Sequence, residues 1–417
     1  MRRDARVDDP DRLFTQLHNL KMVAAVAACG TITGAGQDLC RSPSVITRGV
    51  AEVEAVLRLE LFERKIGHFG ANWYARMLLA RIRRIEEEIT AAIAEFGRMR
   101  LPGSGPSAGL RHLLYSGRKL LLLLHLADAR SASGAAGAMN LTQSGVSMAL
   151  SRLENTLGLR LFYRDLQGMR PTDAGAKLIL RARRMRAELR HALSELASAG
   201  GEPVGTVVIG ALPLSRTDLL PRAISACLDQ APGVQVEVVE APGDTLIARL
   251  RADEIDAVLT VPGSGFDPKG LIVEPLLTDE LIVAAAADHP LARRRALSLH
   301  DLAQHRWILP GRHSVSRTAF EGQFTANGLP PPAPEVQTAD LTLIRQLLLN
   351  KRDMLALTSR VLVEYEIRSG VIAQLDLAMT PIRREVVMLR RDGALHPPAT
   401  TIMIEQIRSG AGRPLAL

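Results

Sequence analysis

Ten histidines and three cysteines are the residues best suited to covalent or metal chemistry, and their spacing supports neither. His289, His300, His305 and His313 share one stretch, but none stands in the H-E-x-x-H arrangement that sets two imidazoles and a carboxylate on one helix face. "PGSGF" at 262–266 lacks the G-x-S-x-G of a strained nucleophile turn, and no Walker loop or G-x-G-x-x-G follows a strand. Cys29, Cys40 and Cys227 are too few and too scattered for a disulfide framework or a zinc cluster. Cys40 stands just before a predicted helix and reads as a packed cysteine, with redox sensing as the second reading. The expectation is a chain that is not an enzyme and needs no cofactor and no metal.

What is left is recognition chemistry, and it is written twice. "CRSPSVITRGVAEVEAVLRLELFERK" at 40–65 has a near-echo at 140–165, "NLTQSGVSMALSRLENTLGLRLFYRD". A shift of 100 aligns Leu20, Ala27, Gly34, Ala35 and Ser44 with Leu120, Ala127, Gly134, Ala135 and Ser144. It also aligns Glu54, Leu57, Leu59, Leu61, Phe62 and Arg64 with Glu154, Leu157, Leu159, Leu161, Phe162 and Arg164. This is a duplicated domain and not a short-period solenoid.

Each copy opens with apolar residues at helical spacing (Leu20, Val23, Ala24, Ala27; Leu120, Leu123, Leu124, Ala127). A Gly-Ala pair small enough for a close helix crossing follows. Then a new helix starts, with Ser42 before Pro43 as cap and first helical residue in one copy, and Thr142 as cap in the other. That helix buries Ile46, Val50, Val53 and Leu57, or Val146, Leu150, Leu153 and Leu157, and leaves its polar start free. A helix, a tight turn and a capped helix with an exposed end form a helix-turn-helix, whose second helix fits the major groove. "LELFERKIGHFG" and "LRLFYRDLQGMRPT" read as two short strands around a basic turn, a wing able to lie along phosphates.

Charge agrees with this division. Residues 1–200 hold 30 Lys/Arg against 19 Asp/Glu, net +11, whereas 201–417 hold 22 against 25, net −3. A basic half joined to a near-neutral half suits a chain whose one part meets a polyanion. Aromatics at 3% argue against a stacking platform for single strands. No run approaches the roughly 20 apolar residues of a membrane span, and "MRRDARVDDP" lacks the apolar core of a signal peptide, so a cytoplasmic protein without membrane contact is expected.

The capped Ser/Thr, the Pro or Gln, the small pair, the L-E, and the L-x-L-F followed by a basic residue resemble the amino-terminal winged helix of LysR-type transcriptional regulators. "PTDAGAKLI" in the second copy matches the family's T-x-A-G segment and opens a helix over 173–197, in the family the dimerisation arm. The first copy departs there. "GANWYARML" lacks the threonine and glycine, and its wing reads as one residue shorter, although 73–96 still reads as a long amphipathic helix. The resemblance places groove-facing residues at Thr142, Gln143, Ser144, Ser147 and Met148 in the second copy, and at Ser42, Pro43, Ser44, Thr47 and Arg48 in the first. Gln143 suits a bidentate contact to adenine and Arg48 one to guanine, while Met148 stands where an arginine is common in the family. Arg64, Lys65, Arg164 and Arg170 are candidate phosphate contacts, with ordinary surface ion pairing as the alternative.

After a hinge at 196–205 the period changes. "TVVIGA", "LLPRAISACLDQ", "VQVEVVEA", "DTLIARLRADEID" and "AVLTV" alternate strand with helix, which indicates a parallel sheet wound on both sides. A second lobe follows, and two open sheets joined by crossing strands leave a crevice at their strand ends. This half resembles the family's effector-binding domain, in the branch named for galactose-binding-protein regulators; "HPLARRRALSLHDLAQHRWILP" is the characteristic stretch. The resemblance puts cleft residues at Leu214, Ser215, Gly243, Asp244, Thr245, Thr338 and Asp340. Ser215 and Thr245 near helix starts favour an anionic ligand, and the two aspartates either meet sugar-like hydroxyls or cap their helices.

The expected fold class is therefore α/β multidomain: two all-α-rich winged helix-turn-helix domains and a two-lobed, doubly wound α/β effector domain of the type 2 periplasmic-binding-protein kind. The expected boundaries are 15–70 and 112–172 for the winged helices, 71–99 and 173–197 for the linker helices, and 100–111 for a flexible linker. The effector domain takes 203–410, with lobe I at about 203–262 and 370–410 and lobe II at about 263–369. The expected function is sequence-specific, effector-controlled binding of double-stranded DNA, with self-association as dimer or tetramer through the linker helix. The alternative is a cytoplasmic small-molecule-binding protein whose duplicated half serves assembly. Whether the first copy reads DNA, dimerises or inhibits stays open.

Overall fold

The computed structural model describes residues 9–65, 68–99, 108–165, 168–263 and 265–411. They divide into two compact units: one comprises residues up to Gly205 with 251–254 and 396–399, and the other takes the rest.

The first unit contains the repeat twice. Its first copy runs α1 (Pro10–Phe14), α2 (Leu17–Cys29), α3 (Ile32–Asp38), α4 (Pro43–Leu57), β1 (Phe62–Lys65), β2 (His68–Ala71) and α5 (Trp73–Met99). The second runs α6 (Ala108–Leu114), α7 (Gly117–Ala129), α8 (Ala132–Met139), α9 (Gln143–Leu157), β3 (Phe162–Asp165), β4 (Gly168–Pro171) and α10 (Asp173–Ala197). The shift of 100 persists through the wing: Phe62 pairs with Ala71 and Phe162 with Pro171. The first wing is thus not shorter, and no gap interrupts the repeat up to the linker helices.

Two boundaries differ from expectation. Residues 108–111 belong to α6, because Leu110, Leu113 and Leu114 are buried; 100–107 lie outside the described residues. The first copy starts earlier, with α1, whose Leu13 and Phe14 are fully buried. Cys40 is exposed in a left-handed turn between α3 and α4, not packed, and Asn140 takes the same conformation in the second copy.

Both copies share one apolar core, from Leu13 to Leu196. Its axis is the pairing of α5 with α10. Leu78, Ile82, Ile85, Ile89, Ala92 and Phe96 line one helix, and Leu178, Ala182, Met185, Leu189, Ala192 and Leu196 the other, all buried. Polar groups within this seam also repeat. Arg81 donates to Glu188 at 2.8 Å and to Glu195 at 3.1 Å, and Arg84 donates to Glu188 at 2.5 Å. Arg181 donates to Glu88 at 2.6 Å and to Glu95 at 2.8 Å, and Arg184 to Glu88 at 3.5 Å. Adding 100 to the arginines of the first half-network and subtracting 100 from its glutamates yields the second. Because higher numbers on α5 meet lower numbers on α10, the helices run antiparallel about an approximate twofold axis.

The copies also interlock. α1 packs on α10, where Arg186 donates to Asp11 at 3.0 Å, and α6 packs on α5. Gly117 permits the approach of α7 to α1, since a Cβ there would lie 1.9 Å from the Phe14 carbonyl oxygen.

The second unit is built on a nine-stranded sheet, in the order β10-β9-β11-β8-β13-β7-β5-β6, with β12 also pairing β8. The chain order is β5 (Val204–Ala211), α11 (Leu219–Gln230), β6 (Gly233–Val239), α12 (Gly243–Arg251), β7 (Ala257–Thr260) and β8 (Leu271–Ala286). Then come α13 (Leu299–Leu302), β9 (Arg306–Leu309), α14 (Val315–Ala326), β10 (Pro334–Gln337), α15 (Leu341–Asn350) and β11 (Met354–Ser359). α16 (Arg360–Arg368), β12 (Ile372–Gln374), β13 (Ile382–Arg391) and α17 (Pro398–Ala411) complete the unit. Instead of two separate sheets there is one hydrogen-bonded sheet, because the 16-residue β8 pairs with β13 along its first part and with β11 and β12 along its second. Residues 372–375 belong with lobe II, not lobe I: Ile372 and Leu375 lie in the cores around β8, β9 and β11.

These interiors can be probed one group at a time. Arg81 is 0% exposed. Burial alone would lower its guanidinium, but the hydrogen bonds to Glu195 and the charge of Glu188 outweigh that and hold it above its ordinary value. Arg81→Met takes one of two arginines from buried Glu188 and removes the arginine that Glu195 meets, and should cost about 3–5 kcal/mol of stability in urea titration. In the second unit, His289 is buried and its Nδ1 accepts from the Leu291 N–H at 3.1 Å. Burial, joined by neighbouring His305, holds its pKa below the ordinary 6.5. The folded form thus binds its proton less readily than the unfolded chain, so this stability is present at neutral pH and lost as pH falls through 6.5. Thermal melts between about pH 7.5 and 5 should show that loss, and His289→Asn, which keeps a capping acceptor, should flatten it.

Candidate nucleic-acid interface and effector cleft

In each copy the second helix of the helix-turn-helix is anchored by one face and bare at its start. Ile46, Val50, Val53 and Leu57 are buried in α4, and Val146, Leu150, Leu153 and Leu157 in α9. Thr142, Gln143, Ser144 and Met148 are exposed, Met148 by 56%, and Ser147 is half-buried. Thr142 caps α9, its hydroxyl accepting from the Gly145 N–H at 3.1 Å. Ser42, Pro43, Ser44, Thr47 and Arg48 are all exposed. Ser42 holds the cap position but makes no capping bond; its hydroxyl meets that of Ser44 at 3.0 Å. Arg48, 82% exposed, pairs with Glu52 one turn on at 3.0 Å, a bond weak enough in water to yield to a better acceptor.

The link from helix to wing uses groups the sequence displayed without explaining. The repeated glutamate ties the second helix to the following strand: Glu54, after Val53, accepts from the Leu61 N–H, and Glu154, after Leu153, from the Leu161 N–H, each at 2.7 Å. Thr172 donates to the Arg160 carbonyl and accepts from the Gly175 N–H. Asn72 does both jobs in the first copy, donating to the Glu60 carbonyl and accepting from the Ala75 N–H. The lost threonine is thus a substitution that keeps the function. The wing's second strand is held alike in both copies, Phe69 N–H to the Gly30 carbonyl and Met169 N–H to the Arg130 carbonyl, both at 2.8 Å.

Arg164 is exposed on β3, and Arg170 is exposed on β4, where it pairs with Asp165 at 2.8 Å. Arg64 and Lys65 belong to β1, and their side chains lie outside the described residues.

In the second unit a cavity of about 380 Å³ opens between the turn after β5 and the start of α15, lined by Pro213, Arg216, Thr217, Asp340, Leu341, Thr342 and Leu362. Leu214 and Ser215 lie in the same turn but are buried, and the Ser215 hydroxyl has no hydrogen-bond partner among the described residues. Asp340 lines the cavity and also caps α15, accepting from the Leu343 N–H at 2.7 Å. Thr338 accepts from the Asp340 N–H at 3.1 Å. Gly243, Asp244 and Thr245 open α12 and are not among the residues lining this cavity; Gly243 faces buried Thr260. Arg216, which pairs with Glu240, and Leu362 carry no mark in the sequence, where nothing identifies distant segments as neighbours. Among the described residues no cluster of three His, Cys, Asp or Glu could hold a metal ion, and no helix is long and apolar enough to cross a membrane.

Paired winged helices with bare polar tips, joined to a two-lobed α/β unit with a cleft, define a ligand-responsive DNA-reading regulator. Comparison with known proteins agrees. The family signature described as "LysR substrate binding domain" matches residues 200–412, and that of the "Bacterial regulatory helix-turn-helix protein, lysR family" matches 17–69 and 118–176. The chain is 35% identical over 396 residues, 94% of its length and 97% of the relative's, to the HTH-type transcriptional regulator GalR of Pseudomonas putida. A full-length OxyR variant from Pseudomonas aeruginosa has the same fold over 70% of this chain and 93% of its own, with TM-score 0.53 and 22% identity. CbnR complexed with its target DNA does so over 70% and 99%, with TM-score 0.50 and 20% identity. The chain belongs to the LysR family of bacterial transcriptional regulators. Such regulators bind DNA and small-molecule effectors, work as oligomers and are not enzymes. The alternative, a ligand-binding protein whose helical half serves assembly alone, is not favoured.

Proposed function

We propose that both α4 and α9 read bases in the major groove of double-stranded DNA, in the bacterial cytoplasm, and that a small anionic or polyhydroxylated effector in the 213–217/339–342 cleft adjusts that binding. The observation carrying the first part is the exposure of the polar tip residues on helices otherwise buried along one face. Gln143 meets adenine and Arg48 guanine, Ser42, Ser44, Thr142, Ser144, Thr47 and Ser147 add hydroxyl contacts, and Pro43 sets the first turn of α4. Arg64, Lys65, Arg164 and Arg170 hold phosphates without reading sequence.

For the effector, Arg216 offers a cation on one side of the cleft, Asp340 an acceptor for hydroxyls on the other, and the Ser215 hydroxyl a hydrogen bond beneath the turn. A ligand shifts the regulator only by binding one of its states better than another. Titration calorimetry with a panel of small acids and sugars should give a binder that Arg216→Ala weakens; if sugars without an acidic group bind equally to wild type and variant, the anionic reading fails.

DNA reading is tested by gel-shift titration over a series of salt concentrations. Gln143→Ala should cost about 1–3 kcal/mol at one adenine position and relax preference there. Arg164→Ala should weaken all sequences alike and reduce the salt slope by about 1. Salt-independent binding, or none, removes the proposal.

A further inference from the structure

Resting on the DNA-reading function proposed above, we infer that a single chain is a complete pair of readers, and that it takes an asymmetric duplex site with one guanine-bearing and one adenine-bearing half.

The seam between α5 and α10 is self-complementary: each arginine–glutamate contact on one side has its counterpart 100 residues away on the other. An interface of that kind ordinarily joins two identical subunits about a twofold axis. Here both faces belong to one chain, and one apolar core encloses them. A covalent tether raises the effective concentration of one face at the other to roughly millimolar, so the second chain that would fill this interface is already outcompeted. The interlock of α1 on α10, α6 on α5 and Gly117 against Phe14 ties the copies further.

Twofold-related readers suit half-sites one helical turn, about 34 Å, or a multiple of it apart. Two identical readers would demand a palindrome. These two are unlike: α4 presents a long cation, Arg48, where α9 has the apolar Met148, and α9 presents the Gln143 amide where α4 has Pro43. A guanidinium fits the two acceptors of guanine, an amide fits adenine, and an apolar side chain fits the thymine methyl. The α4 half-site thus centres on a G·C pair and the α9 half-site on A·T pairs.

The test is selection of binding sites from a random duplex library by the full chain, followed by titration of Arg48→Ala and Gln143→Ala chains against the selected duplex and its two palindromic derivatives. Both substitutions are on exposed tips, and unchanged thermal melts verify folding. Expected are an asymmetric consensus, at least about tenfold weaker binding to either palindrome, and loss of preference in one half only for each variant. An equal mixture of the two variants should bind the asymmetric duplex no better than the variants alone, since each pair is fixed within its chain. A palindromic consensus, loss of preference at the same bases in both variants, or recovery on mixing overturns the inference while leaving DNA reading intact. Failure to enrich any sequence overturns both.

Discussion

The antiparallel contact of α5 with α10 governs the amino-terminal unit. Guanidinium groups cannot discard their protons to enter an apolar seam, so Arg81 and Arg181 enter only where carboxylates meet them. Glu188 lies between Arg81 and Arg84, and Glu88 between Arg181 and Arg184. Sliding the helices by one turn would strand charges on both sides of the axis. Networks of this type are often replaceable by apolar residues without loss of stability, so their presence here points to fixed register. Register matters because each long helix starts directly at the end of its wing, at Asn72 or Thr172.

From that start the placement of α4 and α9 follows by short steps. Asn72 or Thr172 clamps the chain entering the wing, Glu54 or Glu154 clamps the strand to α4 or α9, and the carbonyl of Gly30 or Arg130 holds the wing's second strand. Each is a local hydrogen bond to backbone, so helix, wing and arm move as one piece. On the proposed reading, a tip on such a piece would meet DNA with little ordering left to do, so that a few contacts suffice to discriminate between bases.

Much of this is legible in the sequence because the signals are local. The helix over 173–197 is bounded by the Thr172 cap and its amphipathic period, and the buried faces of α4 and α9 by alternating spacings of four and three residues. The first copy's wing reads short for a chemical reason: an asparagine side chain carries both a donor and an acceptor, so Asn72 replaces a threonine hydroxyl without keeping its letter. The seam is present in the sequence as Arg81, Arg84, Glu88 and Glu95 and their echoes, but periodicity does not reveal whether an amphipathic arm finds its partner in its own chain. Of the expected cleft residues Asp340 lines the cavity, whereas Leu214 and Ser215 are buried in the turn beside it; Arg216 and Leu362 reach the cavity only through tertiary packing, and the single sheet follows from the unusual length of β8.

On the proposed reading, carrying both readers on one chain would also alter how the binding site evolves. In a homodimer a single codon change appears at both half-sites at once, so the DNA must change twice before affinity returns. With Arg48 and Met148 encoded separately, one half of such a target would drift while the other holds the protein in place, and each intermediate would still be bound.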